Sequence, residues 1–125
     1  MRKFEEFLET NEVRRTSQDI GLARSRVQDA NQRAELILQL ALTEKSATLI
    51  YEQVYESLRA FADSFLALSG YKSYSHVATI AFLQKYPEIT ALELNQLDNA
   101  REKRNLSKYY AKQISITETK DNYGL

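Results

Sequence analysis

Residues 20–41 read IGLARSRVQDANQRAELILQLA. Ile20, Ala23, Val27, Ala30, Ala34, Ile37 and Ala41 fall three and four residues apart in alternation, which lays them in one stripe of an α-helix. Charged and amide side chains stand between them: Arg24, Arg26, Gln28, Asp29, Gln32, Arg33 and Glu35. The spacing predicts a helix from about Glu12 to Ala41. The alanines of the stripe predict tight packing against a second long helix. Gly21, which inside a helix costs about 1 kcal/mol relative to Ala, points to the close approach of a neighbour.

Outward from this stretch the same period continues. Thr43 can cap a second helix, its hydroxyl satisfying an otherwise unpaired amide of the first turn. Ala47, Ile50, Val54, Leu58, Phe61, Phe65 and Leu68 then recur at helical spacing up to Gly70, a residue typical of the position just past a helix end. Two long helices joined by a few residues lie antiparallel. A third, shorter helix is expected from about Tyr74 to Lys85, with Val77, Ile80, Ala81 and Leu83 inward. Pro87 ends it, because the residue before a proline avoids helical backbone angles. Thr90 opens a fourth, with Leu94, Leu97, Arg101, Arg104 and Lys108 along one side. Before Glu12, Phe4, Phe7 and Leu8 share a face and predict a short helix packed on the bundle or on a partner. Residues 115–125 mix Thr, Asn, Asp, Gly and Tyr without a period and read as a tail or short extension. Tyr51 and Tyr55 flank the second stripe, and Tyr71, Tyr74 and Tyr86 lie near helix ends, where a ring buries its body and keeps its hydroxyl wet. The expected fold is an all-α, antiparallel up-down bundle of four to five helices. It forms a single domain over residues 1–125 with its core at about 13–112.

Composition supports a real core and limits the chemistry. The chain has 125 residues, 43% of them hydrophobic and 27% charged, with Leu and Ala far more common than Val. Its 17 Lys and Arg balance 17 Asp and Glu, which argues against binding nucleic acid by bulk charge. Without cysteine there is no disulfide and no cysteine-ligated metal. With one histidine, His76, there is no multi-histidine metal centre. No cofactor and no metal are expected. The first ten residues do not read as a secretory signal, and no apolar run approaches the roughly 20 residues of a membrane span. A cytoplasmic protein without a membrane partner is expected. The three glycines, Gly21, Gly70 and Gly124, form no phosphate-cradling loop.

One segment carries a chemical signal. Between Leu97 and Lys112, five positive side chains (Arg101, Lys103, Arg104, Lys108 and Lys112) face two negative ones, Asp98 and Glu102, for a local charge of +3. Arg101, Arg104, Lys108 and Lys112 are spaced three, four and four apart, a basic stripe with Tyr109 and Tyr110 interleaved. Guanidinium groups that grip phosphate beside rings that stack on bases suit a nucleotide or single-stranded RNA. The same stripe also reads as a solvated helix whose cations favour its own C-terminal dipole.

The order of elements, the Gly-Tyr-Lys-x-x-Ser-His turn at Gly70–His76 and the Ala-Arg-x-x-Arg-Asn-x-x-x-Tyr-Tyr run at Ala100–Tyr110 resemble the HEPN superfamily over about Val13 to Lys112. The resemblance implies a small helical bundle, commonly a homodimer, that is either a metal-independent ribonuclease or a nucleotide- or RNA-binding module. Many such ribonucleases are toxins paired with a minimal nucleotidyltransferase. The family signature is an arginine, a polar residue and, after four to six intervening positions, a histidine. Arg104 matches the arginine and Asn105 the polar residue, whereas the histidine position falls on Tyr109 or Tyr110 for four or five intervening residues and on Ala111 for six. A phenol, with an ordinary pKa near 10, is a poor base at neutral pH, where imidazole is a good one.

The sequence therefore predicts a binding module through Arg101, Arg104, Asn105, Lys108 and Tyr109, with Arg104 and Tyr109 the candidates for any catalytic role. Tyr110 is assigned to packing or a dimer seam. His76 is read as structural, bonding near the start of its helix, and a catalytic role would need its ring to reach the Arg104 face. Two other readings stand beside this one: the ribonuclease, and a helical companion of a nucleotidyltransferase docking an acidic partner.

Overall fold

The computed structural model describes residues 2–124; Met1 and Leu125, which belong to the terminal segments read above, lie outside the described residues. Asp19 decides where the first long helix begins. Its carboxylate accepts from the Leu22 amide at 2.9 Å and caps α2, Ile20–Ile37. The helix therefore starts eight residues later than the Glu12 expected. Val13–Arg15 instead forms a strand, β1, paired antiparallel with β2, Tyr71–Ser73, in the register Val13↔Ser73 and Arg15↔Tyr71. Pairing between segments so far apart leaves no periodic trace in either three-residue strand. The fold is mostly helical, compatible with the helical bundle expected, and adds one small two-stranded sheet.

α3, Ala47–Ser69, returns antiparallel along α2. Ala23, Ala30 and Ile37 are buried in this seam and Val27 and Ala34 half-buried, as the stripe predicted, while Ile20 and Ala41 at its ends are exposed. The Ser57 hydroxyl reaches the Ala30 carbonyl at 2.7 Å, an approach that small residues permit. Gly21 is not a close-approach point: an added Cβ there would meet only the Asp19 carboxylate, at 3.6 Å. Thr43 accepts from the Ser46 amide at 3.3 Å, one turn ahead of α3. Gly70 ends α3 with φ of 80°, and a Cβ there would lie 2.9 Å from the Thr16 carbonyl. The turn that brings β1 beside α3 thus requires glycine.

The predicted stripe of α3 is only partly its buried face. Ala47 and Ile50 are buried, but Leu58, Phe61 and Leu68 are exposed, and Tyr51, Tyr55, Ala62 and Leu66 lie inside instead. α3 is the central helix, so its burial follows its neighbours rather than its own most apolar line. Those neighbours are α4, His76–Phe82, continued by a 3₁₀ turn at Leu83–Lys85; α5, Ala91–Tyr110; and α6, Ile116–Tyr123. α1, Phe4–Glu9, buries Phe4 and Phe7 against Val13, Leu66, Ala78 and Phe82, so the N-terminal segment packs on the bundle.

The C-terminal stretch is not a tail. Ser115 and Glu118 form a capping box, Thr119 is fully buried, and the Tyr123 ring packs tilted against Tyr51, centres 4.8 Å apart, while its hydroxyl donates to the Tyr51 carbonyl at 2.9 Å. With two helical turns this segment was too short for its period to declare itself. Tyr51 and Tyr55, which flank the predicted stripe, are fully buried. Among the described residues no helix is long and apolar enough to cross a membrane.

Candidate functional site along the charged row of α5

Thr90 and Glu93 cap α5 reciprocally, so the helix runs from Ala91 with its charged half toward the C-terminal end. It stops at Tyr110, where Ala111 takes a left-handed conformation, φ of 53°. Lys112 therefore lies outside the helix, and the expected four-residue basic stripe ends at Lys108.

Within the stripe the cations are not equivalent. Arg101 donates through Nε to Asp98 at 3.0 Å and lies 3.6 Å from Glu102. Lys103 pairs with Glu118 of α6 at 3.2 Å. Arg104 is only 8% exposed; it points inward, pairs with Glu56 of α3 and donates to the Asn105 side-chain oxygen at 3.2 Å. Its guanidinium carbon lies 5.8 Å from the centre of the Tyr55 ring. Ser107 donates to Glu52, one turn earlier on α3. Among the described residues, no carboxylate comes within salt-bridge distance of Lys108 or Lys112.

Glu52, Glu56, Arg59 and Asp63 lie three and four residues apart along α3 and form a polar row opposite Arg104. Arg59 bridges Glu56 at 3.3 Å and Asp63 at 3.0 Å, and Thr79 of α4 donates to Asp63 at 3.3 Å. Burial raises the Asp63 carboxyl above its ordinary value, with Arg59, Arg26 and the Thr79 bond opposing. The sequence reading missed this row, although its helical spacing of charged residues was legible.

His76 does reach this neighbourhood. Its Nδ1 lies 3.0 Å from the Tyr55 hydroxyl, rather than bonding backbone near the helix end; that capping role falls to Ser75, which accepts from the Ala78 amide. Burial holds the imidazole below the ordinary histidine value, and the positive charges of Arg59 and Arg104 lower it further. Burial likewise pushes the Tyr55 phenol up to about 12. The arrangement ties α3, α4 and α5 into a network in which every arginine has a carboxylate. Among the described residues no three His, Cys, Asp or Glu side chains are grouped to hold a metal ion.

The solvent side of the α5 end is different. Tyr109 and Tyr110 are 66% and 77% exposed, and the Lys108 amine sits 5.7 Å from the Tyr109 ring centre. Tyr110 is not used for packing within the chain. Of the predicted site residues, Lys108 and Tyr109 share this outer surface, Asn105 lies half-buried against Arg104, and Arg101 and Arg104 belong to the inner network. A comparison of the chain with protein-family models, with curated proteins and with solved structures found no match.

Proposed function

We propose that the protein is a nucleotide- or RNA-binding module of the HEPN type, acting as a homodimer in the cytoplasm through the end of α5. The supporting observation is the pair of exposed tyrosine rings, Tyr109 and Tyr110, beside Lys108, a cation without a carboxylate partner among the described residues. Large rings held wet on an ordered helix offer stacking faces at little further entropic cost, and the lysine adds phosphate attraction. On this reading Arg104 acts from beneath, fixing Asn105 at the edge of the surface, and does not itself grip phosphate. The second α5 of the dimer supplies the other wall of a shared cleft.

The ribonuclease alternative needs a base near the ligand. A tyrosine, Tyr109 or Tyr110, takes the signature position of the histidine, and His76 is committed to Tyr55, so binding suits the arrangement better than cleavage. A nucleotidyltransferase companion would use the same exposed lysine and tyrosines against an acidic partner.

The test is fluorescence anisotropy with a labelled single-stranded RNA in chelator. Tyr109→Ala should weaken binding by roughly 5- to 150-fold, the worth of one stacked base, and Lys108→Ala should lower the salt dependence by about 0.7 in log–log slope. Binding that both variants leave unchanged refutes the site. RNA cleavage in the same chelated samples that is lost on Tyr109→Phe would restore the enzyme.

A further inference from the structure

Among the described residues, α6 fills one half of a furrow and leaves the other half open. Thr119 bonds the Ala47 carbonyl and Tyr123 the Tyr51 carbonyl, so α6 runs alongside the first turns of α3 in the same direction. Glu118 meets Lys103 and Asn122 donates to the Gln96 carbonyl, so it runs opposite to α5. It is thus laid between α3 and α5 and stops at Tyr123, where Gly124 turns left-handed at φ of 69°.

Past Tyr123 the furrow goes on between the same two helices as a groove of about 460 Å³. Leu58, Phe61 and Phe65 wall it on α3 and Leu94 and Leu97 on α5, while Leu83 and Ile89 close its far end. From Leu58 to Phe65 is about 10 Å along the helix axis, or two turns. α6 itself, eight residues long, fills about 12 Å of the same furrow. Leu58 and Phe61 are 42% and 43% exposed, so the groove is open to solvent on its α3 side. Glu93, Gln96 and Asn122 form its polar rim. The Glu93 carboxyl is held below its ordinary value by its bonds to Thr90 and is ionised, which favours a cation on whatever lies there.

We propose that this vacant half of the furrow is a docking site for a short amphipathic helix of a partner protein, lying in line with α6. The partner helix presents large apolar side chains at i, i+3 or i+4, and i+7, with a Lys or Arg toward Glu93. The inference is independent of the nucleotide-binding reading, which uses the far end of α5. A second copy of the chain is the weaker occupant: the exposed side chains of the groove, Leu58 at 42% and Phe61 at 43%, offer on the order of 170 Å² together, against about 800 Å² per partner in a stable dimer.

The test is to pan a phage-displayed library of twelve-residue helix-forming peptides against the full chain and measure the selected peptides by anisotropy. The expected result is a consensus with the stated apolar spacing and affinity that falls at least tenfold on Phe61→Glu and on Leu58→Glu, each checked for native circular dichroism. Lys108→Ala should leave the affinity unchanged, which separates this site from the proposed RNA surface. Selected peptides without that spacing, binding that survives both glutamates, or no peptide dependent on either residue overturns the proposal. So does a wild-type dimer in sedimentation that Leu58→Glu dissolves, since the groove would then belong to a second copy.

Discussion

Replacing Arg104 by alanine tests whether the most prominent cation of the chain is part of the scaffold or held ready for a ligand. The guanidinium is almost wholly buried, pairs with Glu56, and lies over Tyr55. Breaking a buried pair from one side costs about 3–5 kcal/mol, because the remaining charge stays desolvated. Here Glu56 keeps Arg59 at 3.3 Å and its side chain is 18% exposed, so the lower figure of about 2–3 kcal/mol is expected once that relief is included. For a domain of this size that corresponds to a fall in Tm of about 8–12 °C. Urea unfolding followed by circular dichroism measures it, with exposed Lys108→Ala as a control that should stay within about 0.5 kcal/mol of the parent. The combined Arg104→Met and Glu56→Leu variant should recover most of the loss, since paired apolar replacement of a buried ion pair is often neutral. An Arg104→Ala variant within about 0.5 kcal/mol of the parent would show that the guanidinium holds nothing in place and refute the inward assignment.

Other consequences follow from the same geometry. The only imidazole of the chain gives a single resolved proton resonance, and its titration midpoint should lie below 6.5, the ordinary histidine value. The unfolded chain then takes up that proton more readily, so the His76 contribution to stability is complete above pH 6.5 and is lost as pH falls through the folded value. A midpoint at or above 6.5 contradicts the burial and charge assigned to the ring. Gly70→Ala should cost about 2 kcal/mol, because its left-handed backbone disfavours a Cβ and the Thr16 carbonyl stands 2.9 Å away. Gly21→Ala, in an open helical position, should instead stabilise by about 0.5–1 kcal/mol in the same urea experiment; equal effects at the two glycines would deny the tight turn.

What the sequence determined by itself is local. The long amphipathic helices, the caps at Thr90 and Gly70, and the short helix carrying Phe4 and Phe7 all follow from contacts within a few residues, and those contacts recur with a period that can be read. The basic residues of α5 and the exposed ring of Tyr109 were legible in the same way. Tertiary structure decided the rest. The β1–β2 pair joins segments on either side of two long helices, so neither strand declares itself alone. Burial of Tyr51 and Tyr55, where Leu58 and Phe61 were equally apolar candidates, depends on which side α5 and α6 cover. Above all, a guanidinium at Arg104 has the same place in a helical stripe whether it faces water or a carboxylate. Only the packing of α5 on α3 brought Glu56 beneath it, because the energy of a charge is set by its surroundings in space and not by its position along the chain.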